Sequence, residues 1–313
     1  MKILKYLFIA TCILIISTTV AYVYLDFSQE PYSLDFSKPP KTGTYIKLSE
    51  GYTRYEISGP DTGKLIVLIP GAGIGYYVWN KNFDYLVSKG YRVLRYDLYG
   101  RGYSERLNKE YTEEILTNQL SELINTFSKN NKKTTLISAS MGSTVALNYA
   151  DHFKDKVERL ILIDPASLGM SKAPWYISTP LVSDLLFTFY WRPRAVEKQM
   201  NEYFNPSAVS EYRAINEDQM KYKGYKNTIR STWIHVIPLD KSKELQTLYK
   251  DSIKLNLIWG KNDPLVTYKA AEEYIKLVPN ASLDLINNAG HLACYEQGTQ
   301  TNSIIYKILN NEK

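Results

Sequence analysis

A serine flanked by small residues at positions 138–142 is the clearest chemical signal in the sequence. Ser140 lies in the string Ser-Ala-Ser-Met-Gly, directly after the apolar run 134–137 and at the start of a helical stretch. In such a strand–turn–helix setting a serine points its Oγ outward from a tight turn, where it can act as a nucleophile. The usual pattern is G-x-S-x-G, and Ser138 replaces its first glycine with another small residue. We therefore predict that Ser140 is a catalytic nucleophile.

Three histidines are available as the base that would take the proton from this serine. His152 ends the helical stretch after the serine, where we expect a solvated side chain. His235 is next to bulky residues such as Trp233, which favours a packing role. His291 follows a strand-like run and the glycine-containing loop 287–290. Because an imidazole on such a loop can reach across to the serine, His291 is the predicted base.

Two aspartates are candidates for the carboxylate that orients the imidazole. Asp164 and Asp263 each follow an apolar, strand-like run. The order Ser140, Asp263, His291 along the chain is one of the orders in which serine triads occur. We favour Asp263 on this order, and Asp164 remains the alternative.

The negative oxygen that forms when a serine attacks a carbonyl needs two N–H donors. We expect one from Met141, the residue after the serine, and the other from Ala72 in the loop after the first buried run. Gly71 and Gly73 flank Ala72 and let the backbone approach a substrate closely, so we predict that they contact it. With Gly75 they form a glycine-rich loop, but it lacks the Lys-Ser/Thr of a P-loop, and its last spacing differs from that of the dinucleotide-binding fingerprint.

Short apolar runs separated by helical stretches make up most of the remaining chain. Such continuous runs are typical of strands buried on both faces, as in a mostly parallel sheet flanked by helices. A hairpin around Glu50-Gly51 precedes them, with strands at 44–48 and 52–57. The buried strands are predicted at 65–69, 91–96, 134–137, 160–163, 255–259 and 283–286, and the helices at 79–89, 111–129, 141–153, 268–278 and 296–309.

The stretch 167–249 breaks this alternation, because it contains helical segments rich in aromatic residues and no strand-like run. It is too long for a simple connection between two strands. We therefore predict a helical cap inserted between two parts of an α/β core, 44–166 and 250–313. The aromatic residues of 175–191 would line an acyl pocket, touch a bilayer, or pack the cap onto the core.

The N-terminal segment 3–25 is almost wholly apolar and has about the length that a helix needs to cross a bilayer. Lys2 and Lys5 precede most of it, and three acidic residues follow it by position 35. By the positive-inside rule, the N-terminus stays in the cytoplasm and the rest of the chain is exported. We predict a signal anchor at 1–25, with the catalytic domain on the extracytoplasmic side.

Two kinds of cleavage are the alternatives to an anchor. A cleaved signal peptide has an apolar region of about 7–15 residues and a small-x-small cleavage site, and the residues around Ala21 form no good site. Lipoprotein cleavage at Cys12 is weaker, because Thr11 precedes it and apolar residues continue after it. A proline-containing linker is predicted at 26–43.

Charge and cysteine content exclude some further classes. The net charge is +6, but lysines and arginines are scattered singly, so we predict no nucleic-acid partner. The cysteines are Cys12, in the apolar segment, and Cys294. The part of the chain after the anchor therefore cannot form an internal disulfide.

Four motifs occur in an order that resembles the α/β-hydrolase superfamily, in the branch with a helical cap after the sixth strand. The resemblance covers nearly everything from residue 44 to the C-terminus. The motifs are Pro70-Gly71 followed by Trp79, the D-x-x-G-x-G-x-S loop from Asp97 to Ser104, the serine pentapeptide, and Asp263 with Gly290-His291 and Glu296.

The resemblance implies a capped esterase-like or lipase-like serine hydrolase that works through an acyl-enzyme, with no cofactor, and we assign no metal ligands. Haloalkane dehalogenases and epoxide hydrolases of this fold carry aspartate where this chain has Ser140. A carboxylesterase or lipase acting on a small ester or lipid, such as a monoacylglycerol or lysophospholipid, is the first expectation. Thioesterases, carbon–carbon bond hydrolases and acyltransferases share the triad and remain alternatives. A non-catalytic receptor or scaffold usually lacks a triad member.

Overall fold

The core of the protein is one eight-stranded sheet in the part of the chain that the structure, a computed structural model, describes: residues 2–39, 43–73, 75–128 and 133–311. The strands are β1 (Thr44–Lys47), β2 (Tyr52–Ser58), β3 (Leu65–Ile69), β4 (Arg92–Tyr96), β5 (Thr134–Ala139), β6 (Val157–Ile163), β7 (Lys254–Gly260) and β8 (Ser282–Ile286). Their order is β1-β2-β4-β3-β5-β6-β7-β8. Strand β2 is antiparallel to β1 and β4, and the other neighbours are parallel. The predicted mostly parallel sheet is confirmed.

Alternate residues of the central strands belong to two different hydrophobic clusters. In β3, Leu65, Val67 and Ile69 pack in one cluster, whereas Ile66 and Leu68 pack in the other. Because successive side chains of a strand point to opposite faces, the two clusters lie on opposite sides of the sheet. Both faces are therefore covered, which explains why β3 is apolar throughout.

The described residues form thirteen α-helices, several of which cover the two faces of the sheet. They are α1 (Lys2–Gln29), α2 (Phe83–Ser88), α3 (Glu113–Phe127), α4 (Gly142–His152), α5 (Trp175–Ser178), α6 (Pro180–Leu186), α7 (Arg192–Met200), α8 (Ser210–Gln219), α9 (Tyr225–His235), α10 (Ser242–Lys250), α11 (Ala271–Leu277), α12 (Ala293–Glu296) and α13 (Gly298–Leu309). A π-helical turn, Phe187–Trp191, joins α6 to α7, and short 3₁₀ turns lie at Tyr76–Trp79, Lys154–Lys156, Pro206–Val209 and Tyr268–Ala270. The predicted end of the helix 111–129, Lys129, lies outside the described residues.

Two of the predicted helices are interrupted. In the stretch 79–89 a 3₁₀ turn ends at Trp79 before α2 begins, and in 296–309 helix α12 ends before α13 begins. The two breaks face each other, since a Cβ on Gly298 would lie only 2.5 Å from the Cβ of Lys81. A tertiary contact thus accompanies these interruptions, and the local apolar pattern does not reveal it.

Helices α5–α10 all lie between β6 and β7, so the predicted helical cap after the sixth strand is confirmed. The cap also forms an isolated parallel bridge, from Tyr222 to Tyr32 in the segment that follows α1. This segment lies in the predicted linker and is hydrogen-bonded to the cap, since Tyr32 N–H donates to Lys221 O at 3.1 Å.

Helix α1 stands outside both hydrophobic clusters, and none of its residues is buried. It is long and apolar enough to cross a membrane by length and composition. Its last turns contact the cap along one helical face, where Ala21, Tyr22, Leu25 and Gln29 are half-buried.

The end of α1 differs from the prediction, because the helix continues past residue 25 to Gln29. The predicted linker at 26–43 therefore begins as helix. Contacts with the cap order these residues, and Pro31 disfavours helical geometry at the residue before it, so the helix stops there.

Candidate active site

Ser140 occupies a strained turn between β5 and α4. Its φ of 51° lies in the left-handed region, which costs a residue with a side chain about 1–3 kcal/mol unless the surroundings enforce it. Two contacts do so: the Ser140 N–H donates to Ile163 O at 2.9 Å, and the Ser143 hydroxyl donates to Ser140 O at 2.6 Å. The turn therefore holds a serine whose side chain can point away from the strand and the helix.

Close crossing of β5, α4 and the loop after β3 explains the small residues on either side of Ser140. A Cβ on Gly142 would lie 2.6 Å from Pro70 O and 2.8 Å from Ile69 O, so only glycine fits there without a backbone shift. Ser138 is fully buried, and its Oγ has no hydrogen-bond partner among the described residues. The position of Ser138 thus requires a small side chain but makes no use of its hydroxyl.

The structure brings His291 and Asp263 together. His291 Nδ1 lies 2.8 Å from Asp263 Oδ2, and both side chains are almost fully buried. The other carboxylate oxygen, Oδ1, accepts the N–H groups of Leu265 and Val266 at 2.8 and 2.9 Å. The carboxylate is therefore fixed on both oxygens, and the hydrogen bond at Nδ1 leaves Nε2 of the imidazole free for chemistry.

Asp164, the alternative carboxylate, is fully buried but serves different partners. Its Oδ1 accepts Gly260 N–H at 2.7 Å, and its Oδ2 accepts Ala293 N–H at 2.8 Å. Asp164 thus ties the end of β7, before Asp263, to the residues just after His291. The geometry favours Asp263 as the partner of the imidazole and gives Asp164 the role of holding the two loops.

Buried carboxyl groups around the imidazole set its pKa. Burial alone would lower the pKa of His291, but the hydrogen bond and charge of Asp263, with the charges of Glu202 and Asp164, raise it to about 9. Burial raises the pKa of Asp164 to about 7 and that of Glu202 likewise to about 7. The imidazolium is thus strongly stabilised, as expected for a base that must accept a proton from a serine.

The cap holds the loop that carries His291. The His291 N–H donates to Glu202 O at 2.7 Å, and a Cβ on Gly290 would lie only 2.2 Å from the same oxygen. The Glu296 carboxylate accepts the N–H groups of Gly290 and, from the cap, of Phe204, at 2.8 and 3.1 Å. Sequence reasoning missed Glu202, and no sequence signal marks it, because its place beside the imidazole arises only from cap docking.

The loop after β3 passes directly over the serine. A Cβ on Gly71 would lie 3.3 Å from the Ser140 Cβ, so the glycine permits this approach. Arg101 Nε donates to Ala72 O at 2.8 Å, and Gln219 Nε2 donates to Gly73 O at 3.1 Å. Two side chains from other segments therefore hold the backbone of this loop in place.

The two predicted oxyanion donors belong to two different segments near the serine. Met141 follows Ser140 at the start of α4, and Ala72 lies in the overlying loop. Neither N–H donates a hydrogen bond within the part of the chain that the structure describes. Ile74, further along the same loop, lies outside the described residues.

The D-x-x-G-x-G-x-S loop, from Asp97 to Ser104, packs against the end of the glycine-rich loop after β3. The fully buried Asp97 carboxylate accepts Tyr76 N–H at 2.6 Å and Tyr103 N–H at 2.8 Å. A Cβ on Gly75 would lie 2.5 Å from Asp97 Oδ1, so the end of the oxyanion loop fits against this carboxylate. Asp97 is therefore structural, and it fixes where the glycine-rich loop ends.

A cavity of about 260 Å³ lies between the core and the cap and reaches both Ser140 and His291. Gly71, Ala72 and Gly73 also line it. The cap contributes an apolar wall and several polar side chains: Phe187, Trp191, Ala195, Ile229, Trp233 and Ile237, and Arg192, Lys198, Gln199, Glu202, Tyr225 and Lys226.

The two other histidines lie elsewhere. His152 is exposed at the end of α4, with Nδ1 2.8 Å from Asn148 O. His235 ends α9, with Nε2 3.4 Å from Glu110 Oε2. Neither lines the cavity. Within the described ranges no group of three or more His, Cys, Asp or Glu side chains is arranged to hold a metal ion.

Comparison with known proteins identifies the family of the fold. A family model described as the α/β hydrolase fold matches residues 64–297. The "AB hydrolase superfamily protein YisY" of Bacillus subtilis is 26% identical over 274 residues, which cover 86% of this chain and all of that protein. A 2-hydroxy-6-oxononadienedioate/2-hydroxy-6-oxononatrienedioate hydrolase of Cupriavidus pinatubonensis is 25% identical over 292 residues, covering 86% of this chain and 96% of the relative.

A solved structure is similar in fold. A thermophilic esterase from Thermogutta terrifontis, with malate bound, superposes with a TM-score of 0.72 at 20% identity, covering 87% of this chain and 99% of the esterase. At this identity the likeness concerns the fold alone.

Proposed function

The chain belongs to the α/β-hydrolase family, and from that premise we propose that it is a serine hydrolase that cleaves carboxylic esters. Ser140 is the nucleophile, His291 the general base and Asp263 the carboxylate that orients it. The observation that carries the proposal is one cavity that reaches both Ser140 and His291, while Asp263 holds the far side of the imidazole.

In the proposed reaction, Nε2 of His291 takes the Ser140 proton while Oγ attacks the ester carbonyl. The N–H groups of Met141 and Ala72 hold the oxyanion, which is stabilised where its charge develops. His291 then protonates the leaving alcohol, and the acyl group stays on Ser140. Water activated by the same imidazole releases the acid and regenerates the serine.

The apolar side chains with which the cap lines the cavity support a substrate whose apolar acyl group fills that cavity. Phe187, Trp191 and Trp233 present aromatic surface there, and Ile229 and Ile237 add aliphatic surface. Burial of such a group contributes about 25 cal/mol per Å² of apolar area. A carboxylic ester with an apolar acyl chain therefore matches the cavity better than a small polar ester does.

Cleavage of a carbon–carbon bond is the second candidate, and one cavity residue favours it. Lys198 lines the cavity with its Nζ 3.5 Å from the centroid of the Trp191 ring, and among the described residues no carboxylate pairs with it. A cation in this position suits a substrate that carries a carboxylate. The Cupriavidus relative is named for such a substrate, a hydroxy-oxo dioate.

We further propose that α1 anchors the enzyme in a membrane, with the catalytic domain on the extracytoplasmic side. The helix has no buried residue and a mean hydropathy of 2.1 over an 18-residue window. An apolar helix of this length, most of which the rest of the protein leaves uncovered, is suited to spanning a bilayer. The basic residues Lys2 and Lys5 before most of the apolar segment support the orientation.

Fluorophosphonate labelling tests the nucleophile directly. Wild type is expected to label and Ser140→Ala to remain unlabelled; equal labelling of both proteins rules Ser140 out. Turnover of p-nitrophenyl esters of increasing chain length, against 2-hydroxy-6-oxononatrienedioate, then separates ester from carbon–carbon cleavage. A folded protein with neither labelling nor turnover would favour a non-catalytic receptor or scaffold.

A further inference from the structure

The last turns of α1 dock directly on the cap. Tyr22 OH donates to the Asp184 carboxylate, and the Tyr22 and Phe189 rings lie 6.5 Å apart between centroids. Gln29 Nε2 donates to Thr188 O at 2.9 Å. These contacts involve α6 and the π-helical turn, and we refer to them, with those of Asp26, as the anchor–cap contact.

A lysine connects the anchor–cap contact to the cavity. Lys226 Nζ lies 2.6 Å from Asp26 Oδ1, at the end of α1, and 2.7 Å from Asp184 Oδ1, in α6. Lys226 also lines the cavity that reaches the serine. The side chain of Lys226 therefore belongs both to the anchor–cap contact and to the lining of the cavity.

The length of α1 places this contact at the surface of a bilayer. The apolar segment 6–25 has 20 residues and spans about 30 Å at 1.5 Å per residue, the thickness of the hydrocarbon core. Tyr22 precedes its end by three residues, or about 5 Å, where tyrosine side chains are enriched at membrane–water interfaces. Asp184 and Phe189, which contact Tyr22, therefore lie at interface level.

The cap exposes large apolar side chains on the same elements. Leu181, one turn before Asp184 on α6, is 72% exposed, and Phe189 and Tyr190 of the π-helical turn are also exposed. Trp175 on α5, which packs against α6, is 73% exposed. We name Trp175, Leu181, Phe189 and Tyr190 the interfacial patch. Large apolar side chains exposed on adjoining elements are typical of an interaction site.

We infer that the interfacial patch rests on the lipid bilayer and that the substrate is an acyl ester drawn from that bilayer. The inference rests on the proposed ester hydrolase function and membrane anchor, and it adds the source of the substrate. Phe187 and Trp191, at the ends of the π-helical turn, line the cavity, whereas Phe189 and Tyr190 between them belong to the patch. The π-helical turn therefore contributes two side chains to the cavity and two others to the patch.

The test compares two esters on full-length enzyme in phosphatidylcholine vesicles. One ester is 1-oleoylglycerol embedded in the vesicles, and the other is water-soluble p-nitrophenyl butyrate. Leu181→Asp is expected to lower the rate on the embedded ester about tenfold, because a charge replaces a side chain that inserts into lipid, and to leave the soluble ester unaffected. Tyr249→Asp, at an exposed aromatic residue of α10, is the matched control and is expected to change neither rate.

A second measurement does not depend on catalysis. Brominated phosphatidylcholine is expected to quench part of the tryptophan fluorescence of Ser140→Ala, and adding Trp175→Phe is expected to remove a quenched component. Equal quenching in both proteins contradicts membrane contact by the patch. If Leu181→Asp instead dissociates an oligomer of the detergent-solubilised protein, the patch is a contact between copies of the chain and the inference fails.

The outcomes separate this inference from the proposed function. Equal rates of wild type and Leu181→Asp on the embedded ester overturn the inference. Wild type that cleaves only the soluble ester also overturns it, while the serine hydrolase proposal stands. Failure on both esters without fluorophosphonate labelling removes the proposed function, and the quenching comparison still decides whether the patch touches lipid.

Discussion

Nδ1 of His291 lies 2.8 Å from Oδ2 of Asp263, although 28 positions separate the two residues in the chain. A second aspartate, Asp164, is equally buried nearby, but it accepts the backbone N–H groups of Gly260 and Ala293. The Asp263 carboxylate therefore binds the imidazole of His291, and the Asp164 carboxylate connects the two loops that carry Asp263 and His291. The two roles can be distinguished by experiment.

The two aspartates are expected to respond differently to the same substitution. Asp263→Asn should fold normally and lose roughly 10⁴-fold in kcat, because an amide no longer selects the productive tautomer of His291. Asp164→Asn should lose about 1–3 kcal/mol of unfolding free energy, since an amide NH₂ would face a backbone donor. Urea unfolding and steady-state kinetics on both variants check this. A stable Asp164→Asn combined with a fully active Asp263→Asn would reverse the assignment.

The pH dependence of kcat/KM reports the protonation of His291. The pKa of His291 is raised to about 9, and only the neutral imidazole can accept the Ser140 proton, so activity should rise with pH and its acidic limb should lie above the ordinary value of 6.5. Glu202→Gln removes one of the charges that raise this pKa. We therefore expect the acidic limb of Glu202→Gln to move to lower pH, measured as kcat/KM from pH 5 to 10.

Glu197→Gln is the control for this shift. Glu197 lies on α7 in the cap, close in sequence to Glu202, but its exposed side chain pairs with Arg213 at 2.6 Å and does not line the cavity. Its pH profile should coincide with that of wild type. Identical profiles for all three proteins would mean that the charge of Glu202 does not reach the imidazole.

The two small residues around Ser140 are expected to tolerate alanine very differently. Gly142→Ala would place a Cβ 2.6 Å from Pro70 O and should cost about 1–3 kcal/mol of unfolding free energy, with loss of activity as the oxyanion loop shifts. Ser138→Ala removes a buried hydroxyl that has no partner among the described residues, so stability should be unchanged or about 1 kcal/mol higher. Thermal unfolding of both variants tests this prediction. If Ser138→Ala is less stable than wild type, the Ser138 hydroxyl has a hydrogen-bond partner and the prediction is wrong.

Glu30 is expected to hold the cap against the end of α1. Its carboxylate, whose pKa is raised by burial, accepts Gly224 N–H and Lys226 N–H, both at 2.7 Å. In Glu30→Ala these buried donors lose their acceptor, at about 1–3 kcal/mol, so amide hydrogen exchange at 221–226 should accelerate. Asp35→Ala is the matched control, because the hydrogen bonds of exposed Asp35 to described residues are all local, to Ser37 and Lys38. Unchanged exchange in Glu30→Ala would contradict this role.

The sequence alone determined the α/β fold, the helical cap and the setting of Ser140. Short continuous apolar runs are typical of strands covered on both faces, and a serine between small residues at a strand–helix junction implies a tight crossing. These are local patterns, so they can be read without a three-dimensional structure. The same reasoning placed Asp263 ahead of Asp164 by chain order, a ranking that the geometry favours.

Tertiary structure decided what depends on contacts between distant segments. Glu202 lies near His291 only because the cap docks over the histidine loop, and Glu296 binds backbone of both. Lys226, which lines the cavity, lies 2.6 Å from Asp26 of α1, a residue 200 positions earlier in the chain. No local sequence pattern predicts such contacts, because the residues that form them are distant in the chain and meet only when the whole protein folds.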